Sequence, residues 1–229
     1  MASAAQGTPV GAAPAEIGIL GGTGPLGRGI AARAARAGID VRVGSRDAEK
    51  AARIVAELIE AGAPAERLQG GTNQEAAAAP LVVVSLPAAG ALAGVTELAD
   101  TLADRVLLSA VVPLGFDDDG PHLRDVPAEG SVAEALAAAA PSARVVAGLQ
   151  AVSAVSLRDP AADLADDVPL CADDHEALAD AAGLVTALGL RPIAAGPLRL
   201  SRTLEALTPL LIAVNQRHGS HAGIALTGL

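Results

Sequence analysis

The chain has 229 residues, a formal net charge of −10 at pH 7 and 51% hydrophobic residues, with one phenylalanine, one cysteine and no tyrosine or tryptophan. The negative charge argues against a nucleic acid or an anionic membrane as a partner, because both bind basic surfaces. One cysteine permits no internal disulfide, which favours a reducing, cytoplasmic location. No apolar run reaches the ~18 residues that span a bilayer.

Residues 1–15 consist mainly of small residues, glycine and proline. They lack the basic start and the continuous apolar core of a signal peptide. We predict a disordered N-terminal extension over 1–15 that plays no part in the functional site.

The stretch 17–29 contains a short apolar run, then Gly22, Gly24 and Gly27 in a GxGxxG pattern, then an alanine-rich segment. Strand, glycine turn and helix in this order are typical of dinucleotide binding. The first glycine allows a tight turn, the second lets a pyrophosphate approach, and the third lets the helix pack closely. The helix N-terminus also offers free N–H groups to phosphates. A P-loop is not indicated, since Gly27 is not followed by lysine and a hydroxyl residue.

Strands and helices alternate over the first two thirds of the chain. The predicted elements are strand 17–20, helix 26–37, strand 40–44, helix 48–61, a short helix near 73–79, strand 81–86, a helix around 91–103, strand 105–112, an irregular stretch 114–130, helix 132–140 and strand 144–149. This alternation predicts an α/β fold with a Rossmann-type doubly wound parallel sheet. We therefore predict a dinucleotide-binding domain over 16–150.

After residue 150 the alternation becomes less regular. We predict a smaller C-terminal α/β and helical segment over 151–229, with strand 169–171, helix 175–188, strand 191–195 and a long helix 203–218. We expect this segment to cap the C-terminal edge of the sheet and to supply a subunit interface.

The residues after the second strand select the nucleotide in folds of this class. Ser45, Arg46 and Lys50 can form a clamp for a 2′-phosphate, with paired donors from the guanidinium, and Thr23 can add a hydroxyl. Asp47 lies where an NAD-selective site has an acidic residue, but we interpret it as the N-cap of the following helix. The pattern favours NADP(H).

No metal site is predicted. His218 and His221 are three residues apart, but Gly219 separates them and no carboxylate lies nearby in the sequence. The acidic run 117–119 is typical of a solvated loop. The mechanism of short-chain dehydrogenases, which uses a catalytic tyrosine, is excluded because the chain has none.

Seven segments in chain order resemble the F420-dependent NADP oxidoreductases: ILGGTGPLGRG, VGSRDAEKA, SLP, VVPL, VPLCADD, LRPIAAGPL and SRTLEALTPLLIAVN. The glycine turn alone is generic, but its combination with GSRxxxK and the late RPxxAGPLxxSRxxExLTPLL run is far more specific. The resemblance implies hydride transfer between C4 of the nicotinamide of NADP(H) and C5 of the deazaflavin coenzyme F420, a co-substrate. It also implies a homodimer supported by the C-terminal helix.

The resemblance also implies site residues. Those expected to bind the dinucleotide are Gly22, Thr23, Gly24, Pro25, Leu26, Gly27, Ser45, Arg46, Lys50, Leu86, Pro87, Ala88, Val112, Pro113 and Ala154. Those expected to face the deazaflavin are Gln150, Val152, Ser153, Leu207 and Pro209. Hydride transfer between two bound rings needs no protein nucleophile and no metal, so no catalytic residue is expected.

Three positions depart from the family pattern. Many relatives have histidine where this chain has Gln150 and proline where it has Ser153, and an aromatic residue commonly follows the SLP tripeptide, where Ala88 stands. These departures leave two alternatives to an F420 reductase. One is an NADPH-dependent reductase of a flavin, an imine or a ketone, and the other is a non-catalytic NADP(H)-sensing protein.

Overall fold

The computed structural model describes residues 7–159 and 162–229. Its strands are β1 (Glu16–Leu20), β2 (Asp40–Ser45), β3 (Leu68–Thr72), β4 (Leu81–Val84), β5 (Val106–Ser109), β6 (Leu114–Asp117), β7 (Gly120–Leu123), β8 (Arg144–Ala147), β9 (Asp167–Ala172) and β10 (Arg191–Gly196). Eight of them form one sheet in the order β10-β9-β8-β5-β4-β1-β2-β3. All neighbours in this sheet are parallel except β8 and β9, which are antiparallel. The predicted doubly wound, mostly parallel sheet is confirmed.

The helices are α1 (Pro25–Arg36), α2 (Ala48–Glu60), α3 (Asn73–Ala76), α4 (Ala88–Glu97), α5 (Val132–Ala139), α6 (Ala154–Arg158), α7 (His175–Ala187) and α8 (Ser201–His218). Side chains fix several of their starts. Asp47 accepts a hydrogen bond from the Lys50 N–H, which confirms its interpretation as the N-cap of α2. Thr72 and Glu75 form a capping box at α3. Within 7–159 and 162–229, no helix combines the length and the apolarity needed to cross a membrane.

The core is divided by the sheet into two apolar layers. Residues on one face of β1, such as Ile17 and Ile19, pack with α1, α2 and α7. Residues on the other face, such as Val82 and Val84 of β4, pack with α3, α4 and α5. Both layers contain many alanines, so the helices can lie close to the strands. This arrangement follows from strands buried on both faces, as a parallel sheet requires.

Two segments for which the sequence predicted no strand, 62–72 and 114–130, contain strands. β3 has the sequence LQGGT and pairs with β2 through main-chain hydrogen bonds, although glycine disfavours strands. Gly70 is required because a Cβ there would lie 2.7 Å from the backbone of Ala51 in α2. The stretch 114–130, expected to be irregular, begins with the antiparallel hairpin of β6 and β7. Gly120, with φ of 113°, follows its two-residue turn.

The two strands after residue 150 continue the main sheet at its β8 edge. Asp167 of β9 accepts hydrogen bonds on both carboxylate oxygens from the Arg191 guanidinium of β10. Residues 7–15 lie against this part of the molecule, where Gly11 donates its N–H to the Ala179 carbonyl and the Thr8 hydroxyl accepts from the Ala194 N–H. The proposed disordered extension also includes residues 1–6, which lie outside the described residues.

The contact between β1 and α3 depends on Gly18. A Cβ at this position would overlap the carbonyl oxygen of Ala76. We therefore expect Gly18→Ala to lower the free energy of unfolding by about 3 kcal/mol, since neither backbone can move without repacking the sheet. Gly90→Ala is the matched control, because a Cβ there meets nothing within 4 Å and helix propensity should leave stability equal or slightly higher. Urea unfolding of both variants checks this, and equal midpoints would contradict it.

Candidate functional site

A cleft of about 500 Å³ lies at the carboxyl ends of β1, β2, β4 and β5. The chain runs from β1 outward to β2 and β3, and then returns to build β4 and β5 on the other side of β1. The cleft therefore lies at the point where the strand order reverses, which is where doubly wound sheets bind their ligands. Its lining residues are Gly21, Thr23, Gly24, Pro25, Leu26, Ser45, Arg46, Lys50, Asn73, Ser85, Leu86, Pro87, Ala88, Ala110, Val111, Val112 and Ala154.

The glycine turn between β1 and α1 forms the floor of this cleft. Gly22 donates its N–H to the Gly44 carbonyl at 2.9 Å, and Gly24 donates to the Gly21 carbonyl at 3.1 Å. A Cβ at Gly27 would lie 2.7 Å from the Gly22 Cα, so this glycine lets α1 start directly behind the turn. Pro25 occupies the first helical position, where its missing N–H costs no hydrogen bond.

The N–H groups that remain free define what the turn can bind. Among the described residues, the hydrogen bonds leave Thr23, Leu26 and Gly27 without an acceptor for their backbone N–H groups. These groups lie at the start of α1, where the helix dipole adds a positive potential. The turn is therefore suited to bind a phosphate or pyrophosphate group.

One end of the cleft is cationic. Ser45 closes β2, and its hydroxyl accepts the Asp47 N–H at 3.2 Å. Arg46 and Lys50 follow on the exposed start of α2. The ion pairs between described residues include neither of these two side chains. Two cations without carboxylate partners can bind an anionic group at this end.

The other end of the cleft is apolar. Its walls come from Leu86, Pro87 and Ala88 after β4, the run 110–112 after β5, and Ala154 at the start of α6. A second cavity of about 790 Å³ adjoins the cleft and shares with it Ser45, Arg46, Asn73, Leu86 and Pro87. A long ligand with one anionic and one apolar end therefore has room along the sheet edge.

The structure brings together twelve of the fifteen residues proposed to bind a dinucleotide. These line the cleft: Thr23, Gly24, Pro25, Leu26, Ser45, Arg46, Lys50, Leu86, Pro87, Ala88, Val112 and Ala154. Gly22 and Gly27 are buried within the turn, and Pro113 is buried beyond the lining.

The five residues proposed to face a deazaflavin do not line this cleft. Gln150 is buried, and its Nε2 donates to the Ser109 carbonyl at 2.9 Å. Val152 is buried, and Ser153 caps α6 by accepting the Ser156 N–H. Pro209 is buried on α8, and Leu207 packs partly buried against the core.

The backbone before Gln150 adopts an unusual conformation. Leu149 is buried and has φ of 73°, which is rare for a branched side chain. Two hydrogen bonds hold the next residue in place. The Gln150 amide donates to Ser109, and the Gln150 carbonyl accepts from the Thr208 hydroxyl of α8 at 2.9 Å. The end of β8 is thereby joined to β5 and to α8.

A single arginine holds α6 against α1. The Arg33 guanidinium donates to the carbonyls of Ser156, Leu157, Asp159 and Ala162. A Cβ at Gly29 would lie 2.7 Å from the Leu157 Cβ, so the two helices are in close contact. Because Ala154 of α6 lines the cleft, this clamp positions one of its walls.

Sequence reasoning missed two polar residues. Asn73 lines both cavities, and its Oδ1 accepts the Gly21 N–H at 3.2 Å. The T-x-x-E capping pattern at 72–75 places this residue at a helix start, but its partner lies 52 positions away. Glu205 of α8 is 1% exposed and accepts the N–H groups of Val132 and Ala133 at the start of α5. No local pattern identifies that contact.

Burial raises the pKa of Glu205 to about 6, and the two N–H donors oppose the shift. Its pKa is therefore higher in the folded chain than its ordinary value of 4.5. The folded chain binds this proton more tightly, so ionisation of Glu205 costs stability as the pH rises from about 4.5 to about 6.

Between about pH 4 and about pH 7.5, we expect the free energy of unfolding of the native chain to fall by about 2 kcal/mol relative to that of Glu205→Gln. The glutamine does not titrate, so the difference isolates this carboxyl group. Urea unfolding of both proteins at the two pH values measures it. A stability difference that stays constant with pH would contradict the raised pKa.

Comparisons with known proteins are consistent with the site. Residues 16–113 match a family model described as NADP oxidoreductase, coenzyme F420-dependent. Over 221 residues, the chain is 37% identical to an F420-dependent NADP reductase of Methanothermobacter thermautotrophicus, covering 93% of this chain and 95% of the relative. It is 34% identical to an F420-dependent NADP reductase of Methanocaldococcus jannaschii, and the match covers 93% of this chain and 99% of that relative. An Arthrobacter crystal structure, provisionally described as such a reductase, matches with a TM-score of 0.77 and 27% identity over 93% of this chain and all of that one.

Across the described residues, no three histidine, cysteine, aspartate or glutamate side chains converge as a metal site would require. The titratable side chains of the 500 Å³ cleft are Arg46 and Lys50. The arrangement can bind an anionic ligand at one end and hold a flat apolar group at the other.

Proposed function

Because this chain belongs to the family of F420-dependent NADP oxidoreductases, we propose that it transfers a hydride reversibly between NADP(H) and coenzyme F420. The observation that carries the proposal is the cleft at the strand-order reversal, which has free N–H groups at its floor and free cations at one end. The relatives that match over most of their length are named for this reaction. These names favour it over another acceptor and over a non-catalytic NADP(H) sensor.

The proposed binding mode follows the polarity of the cleft. The pyrophosphate of NADP(H) would accept hydrogen bonds from the free N–H groups of Thr23, Leu26 and Gly27. Its 2′-phosphate would lie against Ser45, Arg46 and Lys50, where guanidinium and ammonium donors meet an oxyanion. Of the remaining proposed dinucleotide residues, Gly22, Gly24 and Pro25 would shape the turn. The nicotinamide end would be shaped by Leu86, Pro87, Ala88, Val112, Pro113 and Ala154.

The protein's contribution to the reaction would be proximity and orientation. Bound NADPH supplies the hydride from its nicotinamide ring. The small apolar walls at Pro87, Val112 and Ala154 would exclude water and set the ring plane. We assign no general acid or base, since the hydride would pass directly between the rings and the one proton that F420 takes up with it would come from solvent.

For the deazaflavin side we propose Gln150, Val152, Ser153, Leu207 and Pro209 as supports of the wall that faces the second ring. Gln150 joins the end of β8 to Ser109 of β5 and to Thr208 of α8. These contacts would hold the two ring-facing walls at a fixed separation. We also propose a cytoplasmic location, which suits a chain with one cysteine.

A homodimer is part of the proposal. Helix α8 buries Ser201, Leu204, Glu205 and Pro209, but Leu210 on its other side is 58% exposed. Exposed apolar surface of this kind favours association with a partner. We propose that a second copy of the chain covers this side of α8.

The redox reaction is tested by the absorbance of oxidised F420. We expect NADPH to bleach it rapidly and NADH to bleach it slowly. Arg46→Ala should weaken NADPH binding by about 10- to 100-fold, as expected for the loss of charge-assisted hydrogen bonds, and change NADH binding little.

Arg53→Ala is the matched control, since Arg53 is exposed on the nearby helix α2 outside the cleft. Tight NADPH binding without bleaching would indicate that the hydride acceptor is a compound other than F420. Equal losses for NADPH and NADH in Arg46→Ala would refute the clamp.

Dimer formation is tested by sedimentation of Leu210→Glu. A buried carboxylate at a subunit contact is costly, so we expect the native chain to sediment as a dimer and this variant as a monomer. Leu92→Glu on α4 is the control, because Leu92 is also exposed but lies on a different helix. A native monomer, or an unchanged dimer in Leu210→Glu, would contradict the proposed interface.

A further inference from the structure

We propose that Asn73 is a positioning residue that shapes the glycine turn for NADPH and NADH alike. This role differs from selection of the 2′-phosphate, which we assign to Ser45, Arg46 and Lys50. The inference rests on the proposed dinucleotide site and adds a residue from the start of α3, outside the glycine pattern and its clamp.

The central contact joins Asn73 to the first residue of the turn. The Asn73 Oδ1 accepts the Gly21 N–H at 3.2 Å. Gly21 has φ of 73°, and a Cβ there would lie 2.9 Å from the Ser85 carbonyl oxygen. Gly21 is thus fixed between the Asn73 amide on one side and the end of β4 on the other.

This contact completes the internal hydrogen bonds of the turn. Gly21, Gly22 and Gly24 donate their N–H groups to Asn73 Oδ1, the Gly44 carbonyl and the Gly21 carbonyl, respectively. The other two acceptors are main-chain atoms, so among these three contacts Asn73 supplies the side-chain acceptor, while Arg28 Nε donates to the Thr23 carbonyl from α1. A turn ordered before the ligand arrives loses less entropy on binding.

Asn73 itself is held firmly. Thr72 pairs with Ser45 at the end of the sheet and forms the capping box with Glu75. Three residues after Asn73, the Ala76 carbonyl lies against Gly18 of β1. The helix start is therefore fixed to both β2 and β1, and its amide cannot follow a displaced turn.

The test measures the dissociation constants of NADPH and NADH by fluorescence titration of native chain and Asn73→Ala. Loss of the acceptor leaves the Gly21 N–H unsatisfied, so we expect both dinucleotides to bind about tenfold more weakly, with an unchanged ratio. Arg46→Ala should change that ratio instead. Gln69→Ala is the amide-truncation control, because Gln69 lies on β3 outside the cleft.

Amide exchange gives a readout in the absence of ligand. The Gly21 N–H should exchange faster in Asn73→Ala, whereas Asn73→Asp, which keeps an acceptor oxygen, should retain its protection. This second variant also separates the role from general unfolding, which would raise exchange throughout the sheet.

Three outcomes of these measurements decide whether Asn73 positions the turn. Equal weakening of both dinucleotides with faster Gly21 exchange supports the inference. A loss confined to NADPH makes Asn73 a ligand of the 2′-phosphate and overturns it, and unchanged binding overturns it too. If the native chain binds neither dinucleotide, the proposed function itself fails.

Discussion

Direct contact between backbone segments determines the geometry of this molecule. At Gly18 the strand β1 meets the Ala76 carbonyl of α3, and at Gly27 the helix α1 meets the Gly22 Cα. No side chain separates these segments, so the turn, β1 and α3 lie at separations that only glycine allows. The cleft takes its shape from these contacts, and the alanine-rich core around it lets the helices lie close to the strands.

Charge is distributed unevenly over the molecule in a way that matches the cleft. The chain carries a net charge of −10, yet Arg46 and Lys50 form no ion pair with any residue that the structure describes, at the end of the cleft where an anion would bind. Other arginines are engaged in structure, such as Arg33 with four carbonyls and Arg202 with Glu134. The net negative charge of the protein repels phosphates. The local donors at this end of the cleft can still bind them, because salt screens the more distant carboxylates.

The sequence alone predicts those elements whose determining contacts are local. The strand, turn and α1 follow from the glycine spacing, and the N-cap role of Asp47 follows from its position before an alanine-rich helix. β3 was missed because Gly70 is required by the close approach of α2 and not by strand propensity. Asn73 and Glu205 were missed because their partners, Gly21 and the start of α5, come close only after the sheet is assembled. The residues after 150 combine both cases, since α7 and α8 were predicted but α6 and the place of β9 and β10 in the main sheet were not.

The Arg33 clamp on α6 has a consequence for how this enzyme can change. A guanidinium that donates to main-chain carbonyls recognises atoms that every residue possesses. Because Arg33 donates to the backbone of this segment, the side chains of Ala154 and Val155 can be replaced without loss of these hydrogen bonds. The wall that Ala154 gives to the cleft is therefore open to substitution, while the glycine turn stays fixed by backbone contacts. A scaffold built this way can acquire new hydride acceptors by drift at one wall and keep its nucleotide throughout.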